Sequence, residues 1–310
     1  MLNTIFILVG ALFLLLKGAT LATRYAVALA ESFRLSKYTV GFIIIAVISI
    51  LPESFIAVQA ALRGVPEFGL GMLFGSNVAD LTLIFAILVF ASGRSVQVES
   101  KILKSHAAYP FILMLPLVLG LNGHFSRIEG LTLIIAGGIF YYLALRDGTD
   151  TDAPPHLTKN TRVKNSIFLL LSMVLLFIGS NFTVSSATAL ASQVGISPIL
   201  IGMFIVGLGT TMPELFFSFK AVKRHDDSLA VGDLLGTVLA DATIVVGVLA
   251  IITPFSFPKE IVFVTGTFMI MSSFLLFYFM ESGRRITKKE AKLLVFFWLT
   301  FVLVSCFVGS

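Results

Sequence analysis

The sequence predicts an all-α polytopic membrane protein of ten transmembrane helices, built as two inverted five-helix repeats with both termini outside. Three observations lead there: a composition unsuited to water, ten apolar runs in two groups of five, and a pair of motifs repeated 161 residues apart.

Mean hydropathy is +1.00, and 57% of the residues are hydrophobic against 13% charged. Phe occurs 30 times beside 1 Trp and 6 Tyr. A soluble chain could not hide that much apolar surface, whereas lipid removes the need. The net charge of +5 is carried by residues between apolar runs, which points to membrane topology rather than nucleic acid. The single cysteine, Cys306, excludes a disulfide framework or a cysteine metal site. The chain turns apolar by Ile5 without a basic leader or small-residue cleavage site, so a retained first span is expected rather than a signal peptide.

A membrane helix needs about 20 mainly apolar residues. Such runs cover about 3–23, 39–62, 69–92, 103–121 and 128–145, then about 166–189, 198–219, 230–254, 260–280 and 291–309. The expected organisation is a first repeat over 1–146, a polar linker over 147–165 carrying Asp147, Asp150, Asp152, Pro154 and Pro155, and a second repeat over 166–310. Sixteen Lys and Arg fall in one set of alternating loops (Arg34 and Lys37; Arg94, Lys101 and Lys104; Arg146, Lys159, Arg162 and Lys164; Lys220, Lys223 and Arg224; Arg284, Arg285, Lys288 and Lys289). The other set holds three: Arg63, Arg127 and Lys259. The positive-inside rule then puts the linker in the cytoplasm.

At the 161-residue offset, Ile48-Ser-Ile-Leu-Pro-Glu53 faces Gly209-Thr-Thr-Met-Pro-Glu214, and the run Gly71 to Asp80 faces Gly232 to Asp241. Gly41 and Gly202, Gly75 and Gly236, and Thr82 and Thr243 also match. A unit with an odd number of spans must re-enter from the opposite side, which gives an inverted repeat and places a binding site near mid-membrane between the halves.

An ionised carboxylate within the bilayer is costly and marks function by default. Glu53, Asp80, Glu214 and Asp241 occupy matched positions. Pro52 and Pro213 break the backbone ladder just ahead of each Glu, and the carbonyls near Ala46 and Gly207 are candidate ligands. The hydroxyls of Ser49, Thr210, Thr211, Ser76 and Thr237 add neutral oxygens. An all-oxygen donor set suits hard cations such as Ca²⁺ or Na⁺. Gly71, Gly75 and Ala79, matched by Gly232, Gly236 and Ala240, recur every four residues and predict close helix approach. Proline kinks and small-residue stripes alone are commonly structural; it is the matched acids that point to a cation site. Asp233 has Met72 as its counterpart and is expected at the rim, Glu67 in solvent. His106, His124, His156 and His225, lacking partners at ligand spacing, are expected to be structural or superficial.

These motifs, at about 39–85 and 200–247, resemble the alpha-repeats of the calcium/cation antiporter superfamily, the sodium/calcium exchanger branch in particular. The resemblance implies that Glu53 and Glu214 are the central Ca²⁺ ligands, with Thr210 beside them. It makes Thr211, Thr237 and the Gly207 carbonyl sodium ligands, Asp241 the acid of the middle site, and Ser49, Ser76 and the Ala46 carbonyl the matching ligands of the first repeat. This sequence departs at Ile50, where the family has a hydroxyl, at Ile48, where it has Gly, and at Asp80, often Asn. Four carboxylates in one cavity cannot all stay ionised when unloaded, which brings proton coupling into view.

The expected function is antiport of Ca²⁺ against a monovalent cation, Na⁺ first, by alternating access. The alternatives are Ca²⁺/H⁺ exchange or another divalent cation, and then an uncoupled channel, for which so acidic a site is too sticky. An intramembrane protease is disfavoured: there is no His-Glu-x-x-His, and Gly232-Asp233 has no catalytic Asp partner in a matching context. No cofactor and no nucleic-acid partner are expected; the partners are inorganic cations and the lipid bilayer. The expected location is the plasma (inner) membrane of a prokaryote, multi-pass.

Overall fold

A computed structural model describes residues 1–31, 46–98, 108–146 and 159–309. Gly41, Arg34, Lys37, Lys101, Lys104, His106, His156 and the acidic and proline residues of the linker lie outside the described residues.

The described chain is helical apart from two short sheets. The helices are α1 (Leu2–Glu31), α2 (Leu51–Leu62, preceded by the turn Ala46–Ser49), α3 (Pro66–Ser92), α4 (Tyr109–Asn122), α5 (Arg127–Arg146), α6 (Lys159–Val194), α7 (Pro198–Lys223), α8 (Asp227–Ile252), α9 (Lys259–Glu281) and α10 (Lys288–Gly309). Among the described residues, seven helices are long and apolar enough to cross a membrane: α1, α3 and α6 to α10. Helix α6 starts at Lys159, so the expected linker ends seven residues early. Nothing between Lys159 and Asn165 breaks a helix, and the polar turn extends past the apolar run.

Apolar side chains lie on both sides of the fold: Phe68, Phe74 and Phe85 fill the core, while Phe6, Phe13, Phe111, Leu170, Phe296 and Phe307 face outward, and Glu53, Asp80, Glu214 and Asp241 are buried within that apolar core. Lipid satisfies the outward group; the buried acids need polar partners or an ion.

Contacts come in pairs set 161 residues apart. Helices α1 and α6 pack together at the periphery. There a Cβ on Gly18 would stand 3.1 Å from the Leu176 nitrogen, and one on Gly179 would stand 3.0 Å from that of Leu15. Helix α5 packs on the end of α8, and α10 on the end of α3. At the first crossing a Cβ on Gly130 would lie 2.7 Å from the Gly247 carbonyl; the matched positions of the second, Ala86 and Ala291, are fully buried. Strand β1 (Val96–Gln97) pairs antiparallel with β4 (Arg285–Ile286), and β2 (His124–Phe125) with β3 (Phe255–Ser256). Each sheet therefore joins one half of the chain to the other. Among the described residues, Arg94 and Asp227 add a further tie between the halves: the guanidinium grips both carboxylate oxygens at 2.6 Å, and donates to the Val222 carbonyl at 2.7 Å.

The small-residue stripe of α3 closes on α7. A Cβ on Gly71 would sit 2.7 Å from the Ile199 carbonyl, one on Gly75 2.6 Å from the Met203 carbonyl, and one on Gly202 2.7 Å from the Phe68 carbonyl. Only glycine lets these backbones meet. The partner segment that the repeat implies for Gly232 and Gly236 lies outside the described residues.

A candidate cation site between the halves

Each motif acid sits at an irregularity in its helix. Ile50 interrupts the helix ahead of Leu51-Pro-Glu53, and Thr211 interrupts it ahead of Met212-Pro-Glu214. Proline at the second position of each new helix has no N–H to continue the ladder, and its fixed φ suits a helix start. Each Glu therefore falls in the first turn of a helix, where backbone N–H groups favour a negative charge. The second acid of each half opens a π-turn, Asp80–Ile84 and Asp241–Val245. Thr82 and Thr243, two residues on, return their hydroxyls to the Val78 and Leu239 carbonyls. Single π-turns inside α-helices are frequent at functional sites.

The structure brings all four acids into one buried region. Glu214 lies within electrostatic reach of Glu53 and Asp80, and Asp241 within reach of the same two. Both oxygens of Glu214, both of Asp241, one of Glu53, one of Asp80 and the Thr237 hydroxyl are buried without a hydrogen-bond partner. A buried oxygen left unpaired costs about 1–3 kcal/mol, more if charged. Seven such oxygens in one buried region are candidate donors for a cation. Among the described residues, no three of His, Cys, Asp or Glu converge closely enough to hold one metal ion.

The neutral ligands fall into place less uniformly. Ser76 donates to the Leu73 carbonyl at 3.0 Å, so its lone pairs are left for other partners. Thr210 and Thr211 both donate to the Gly207 carbonyl, at 3.0 and 2.6 Å, and the Thr211 N–H adds a third bond at 3.1 Å. The Gly207 carbonyl is thus not a bare oxygen: it accepts three hydrogen bonds, and the two threonine hydroxyls lie beside it. Ala46 heads the short turn before the first break. Ile50, buried, offers no oxygen where Thr211 does.

Asp233 also departs from expectation. It is only 4% exposed, receives Ser49 at 2.9 Å, and stands within electrostatic reach of Asp80 and Glu214. It is a fifth carboxylate of the same buried region, not a rim residue. The signal was present: Asp233, Thr237 and Asp241 follow fourfold spacing on α8 and share a face. Two tyrosines of the first half bond the backbone of α8 nearby. Tyr109 donates to the Leu235 carbonyl at 2.8 Å, and Tyr141 to the Gly236 carbonyl at 2.6 Å; neither stood out in the sequence. His124 lies in β2, and His225 turns the α7–α8 connection with φ of 61°, both away from the acids.

A helical bundle with lipid-facing aromatics and buried, unpaired carboxylates at paired helix irregularities belongs to the class of polytopic ion transporters. The family profile described as sodium/calcium exchanger protein matches the chain twice, over residues 3–146 and 164–307. The chain belongs to that family, within the calcium/cation antiporter superfamily. Relatives include a putative antiporter CaxA of Alkalimonas amylolytica, 29% identical over 81% of each chain. The inner membrane protein YrbG of Escherichia coli is 25% identical over 82% of this chain and 81% of its own. The sodium/calcium exchanger MaX1 of Methanosarcina acetivorans is 21% identical over 99% of both. The crystal structure of the H⁺/Ca²⁺ exchanger CAX superposes with a TM-score of 0.80 at 16% identity, covering 98% of this chain and 87% of that one. The sodium-calcium exchanger NCX_Mj superposes at 0.69 with 21% identity, covering 97% and 98%. At these identities the two structures establish the fold alone.

Proposed function

We propose that this protein exchanges Ca²⁺ for a monovalent cation, Na⁺ in the first instance, by alternating access, with Ca²⁺ held between Glu53 and Glu214. The observation that carries the reading is the matched pair of buried glutamates at proline breaks, with three of their four oxygens unpartnered. In this reading Asp80, Asp241, Ser76, Thr210, Thr211, Thr237, Ser49 and the Ala46 carbonyl supply the surrounding oxygens. The chain spans the membrane ten times as two inverted repeats, N-out and C-out, in a prokaryotic plasma membrane; the named location of the Escherichia coli relative supports this.

Occupancy neutralises the acids and lowers the cost of moving them past the apolar barrier. An unloaded, charged site is trapped, and that restriction couples the two fluxes. A second reading, with H⁺ as counter-ion, is favoured by one observation: the region of the candidate site holds five buried carboxylates, Asp233 included, yet the first half lacks the hydroxyl at Ile50.

Uptake of radiolabelled Ca²⁺ into proteoliposomes, with Na⁺, K⁺ and H⁺ gradients imposed singly, tests both readings. An outward Na⁺ gradient driving uptake supports the first, and an outward H⁺ gradient the second. Glu53→Gln and Glu214→Gln should each abolish flux; near-normal transport by either removes the Ca²⁺ assignment.

A further inference from the structure

Within the candidate site the hydroxyls divide by what they bond. Thr211 and Ser76 spend their protons on carbonyls of their own helices, four and three residues back, while Thr210, beside the Gly207 carbonyl, is also in hydrogen-bond contact with Glu53 of the other half. Ser49, the match of Thr210 in the repeat, donates across the interface between the halves to Asp233 Oδ1 at 2.9 Å. Asp233 Oδ2 is in turn approached at 3.5 Å by Ser218 of α7. Asp233, Ser49 and Ser218 are all buried. Asp233 has no equivalent in the other half, where the matched residue is Met72.

A serine hydroxyl has one proton and two lone pairs. Once the proton is drawn toward a carboxylate, the lone pairs are fixed in direction and the oxygen becomes a pre-oriented ligand. This matters most in the first half. With Ile50 in place of a hydroxyl, Ser49 is the one hydroxyl offered by the segment just ahead of the first proline break, where the second half offers both Thr210 and Thr211.

We propose that Asp233 is a positioning residue for the cation site, holding Ser49 so that its oxygen faces the ion. The proposal rests on the reading of Ser49 as a ligand. Asp233 does not touch the ion itself; it acts through Ser49.

The test is Ca²⁺ uptake into proteoliposomes, reading KM and kcat separately. Asp233→Ala should raise KM for Ca²⁺ about tenfold, the loss of one oriented hydrogen-bonded contact, with a smaller change in kcat. Asp233→Asn keeps a carbonyl oxygen that accepts the same proton and should bring KM back to within about threefold of the parent. In a Ser49→Ala background, Asp233→Ala should add less than about twofold, because residues that act as one unit are not additive. If Asp233→Ala fails to fold, Asp233→Met, which installs the residue of the matched position, takes its place in every arm. An unchanged KM in Asp233→Ala overturns the proposal. So does an Asp233→Asn defect as large as that of Ala, which would make the charge itself the working part. So do additive effects with Ser49→Ala. A parent protein that moves no Ca²⁺ overturns the functional reading first and this proposal with it; normal parent uptake with an indifferent Asp233 overturns the proposal alone.

Discussion

Replacing Gly75 with Ala tests whether the α3–α7 contact sets the geometry of the site. The new Cβ would lie 2.5 Å from Met203 Cγ, 2.6 Å from the Met203 carbonyl oxygen and 2.8 Å from its Cα. Comfortable contact is about 3.5–4.0 Å, so the overlap approaches ~1 Å. Two of the three atoms are backbone and cannot rotate aside, so α3 must move off α7. Overpacking of this kind costs about 1–3 kcal/mol, while the added helix propensity returns roughly 0.5–1 kcal/mol. The net loss of stability is therefore modest, on the order of 1 kcal/mol. The transport cost is larger. Ser76 follows Gly75 on α3 and Glu214 sits on α7, so the same displacement opens their separation. Calcium–oxygen distances are held to about 2.3–2.6 Å, and a misplacement of about 1 Å can cost on the order of 100-fold where geometry decides the rate. Gly75→Ala should fold, melt slightly earlier in detergent, and lose at least about tenfold in Ca²⁺ uptake in proteoliposomes. Gly138→Ala is the control, since a Cβ there meets nothing within 4 Å. Parent-like uptake by Gly75→Ala, together with melting no lower than Gly138→Ala, would refute the argument.

Gly137→Ala pushes a Cβ to 2.9 Å from Ile244 and 3.1 Å from the Thr243 Cβ; it should impair uptake by displacing the Asp241 π-turn, unlike its neighbour Gly138. Thr243→Val removes the hydroxyl that reaches the Leu239 carbonyl at 2.6 Å and should destabilise by about 1 kcal/mol, read from the unfolding midpoint. Arg94→Ala strands the buried Asp227 carboxylate; with Arg94 itself 29% exposed, the full buried-pair penalty is reduced to roughly 1–3 kcal/mol. Asp227→Ala in that background should cost little more, which a double-mutant cycle on thermal unfolding measures.

The sequence carried those parts of the fold that lipid dictates. A span must be apolar throughout, and a carboxylate within one must have a reason, so Glu53, Asp80, Glu214 and Asp241 stand out without coordinates. The fourfold glycine spacing likewise foretold the α3–α7 approach. What could not be read were choices among local hydrogen bonds. The π-turns at Asp80 and Asp241 leave no propensity signal, because the same residues would serve an α-helix. Proline announces which N–H is missing but not which donor will claim a nearby carbonyl; Thr210 and Thr211 took that of Gly207. The apolar partner in the repeat, Met72, masks Asp233, although its placement four and eight residues before Thr237 and Asp241 sets it on their face.

The unequal chemistry of matched positions bears on how such a repeat can work. Matched helices, glycines and sheets give a frame whose halves can exchange roles, as alternating access requires. The frame does not demand equal chemistry. Asp233 faces Met72 across the repeat, Thr211 faces Ile50, and the carbonyl-capping Tyr109 and Tyr141 match Ile270 and Val302. In each pair the α7–α8 side of the site receives the polar partner. The first half contributes Glu53, Asp80 and the serines Ser49 and Ser76, and Ser49 is held from the second half by Asp233. A two-fold scaffold thus carries a one-sided site, and substitutions at matched positions should not be equivalent. Thr211→Val removes a hydroxyl from the site, whereas Ile50→Thr adds one. If Na⁺ is the counter-ion, Ile50→Thr should strengthen Na⁺ competition with Ca²⁺ uptake and Thr211→Val should weaken it. Equal, same-direction effects on that competition would mean that the asymmetry is packing and not ligation.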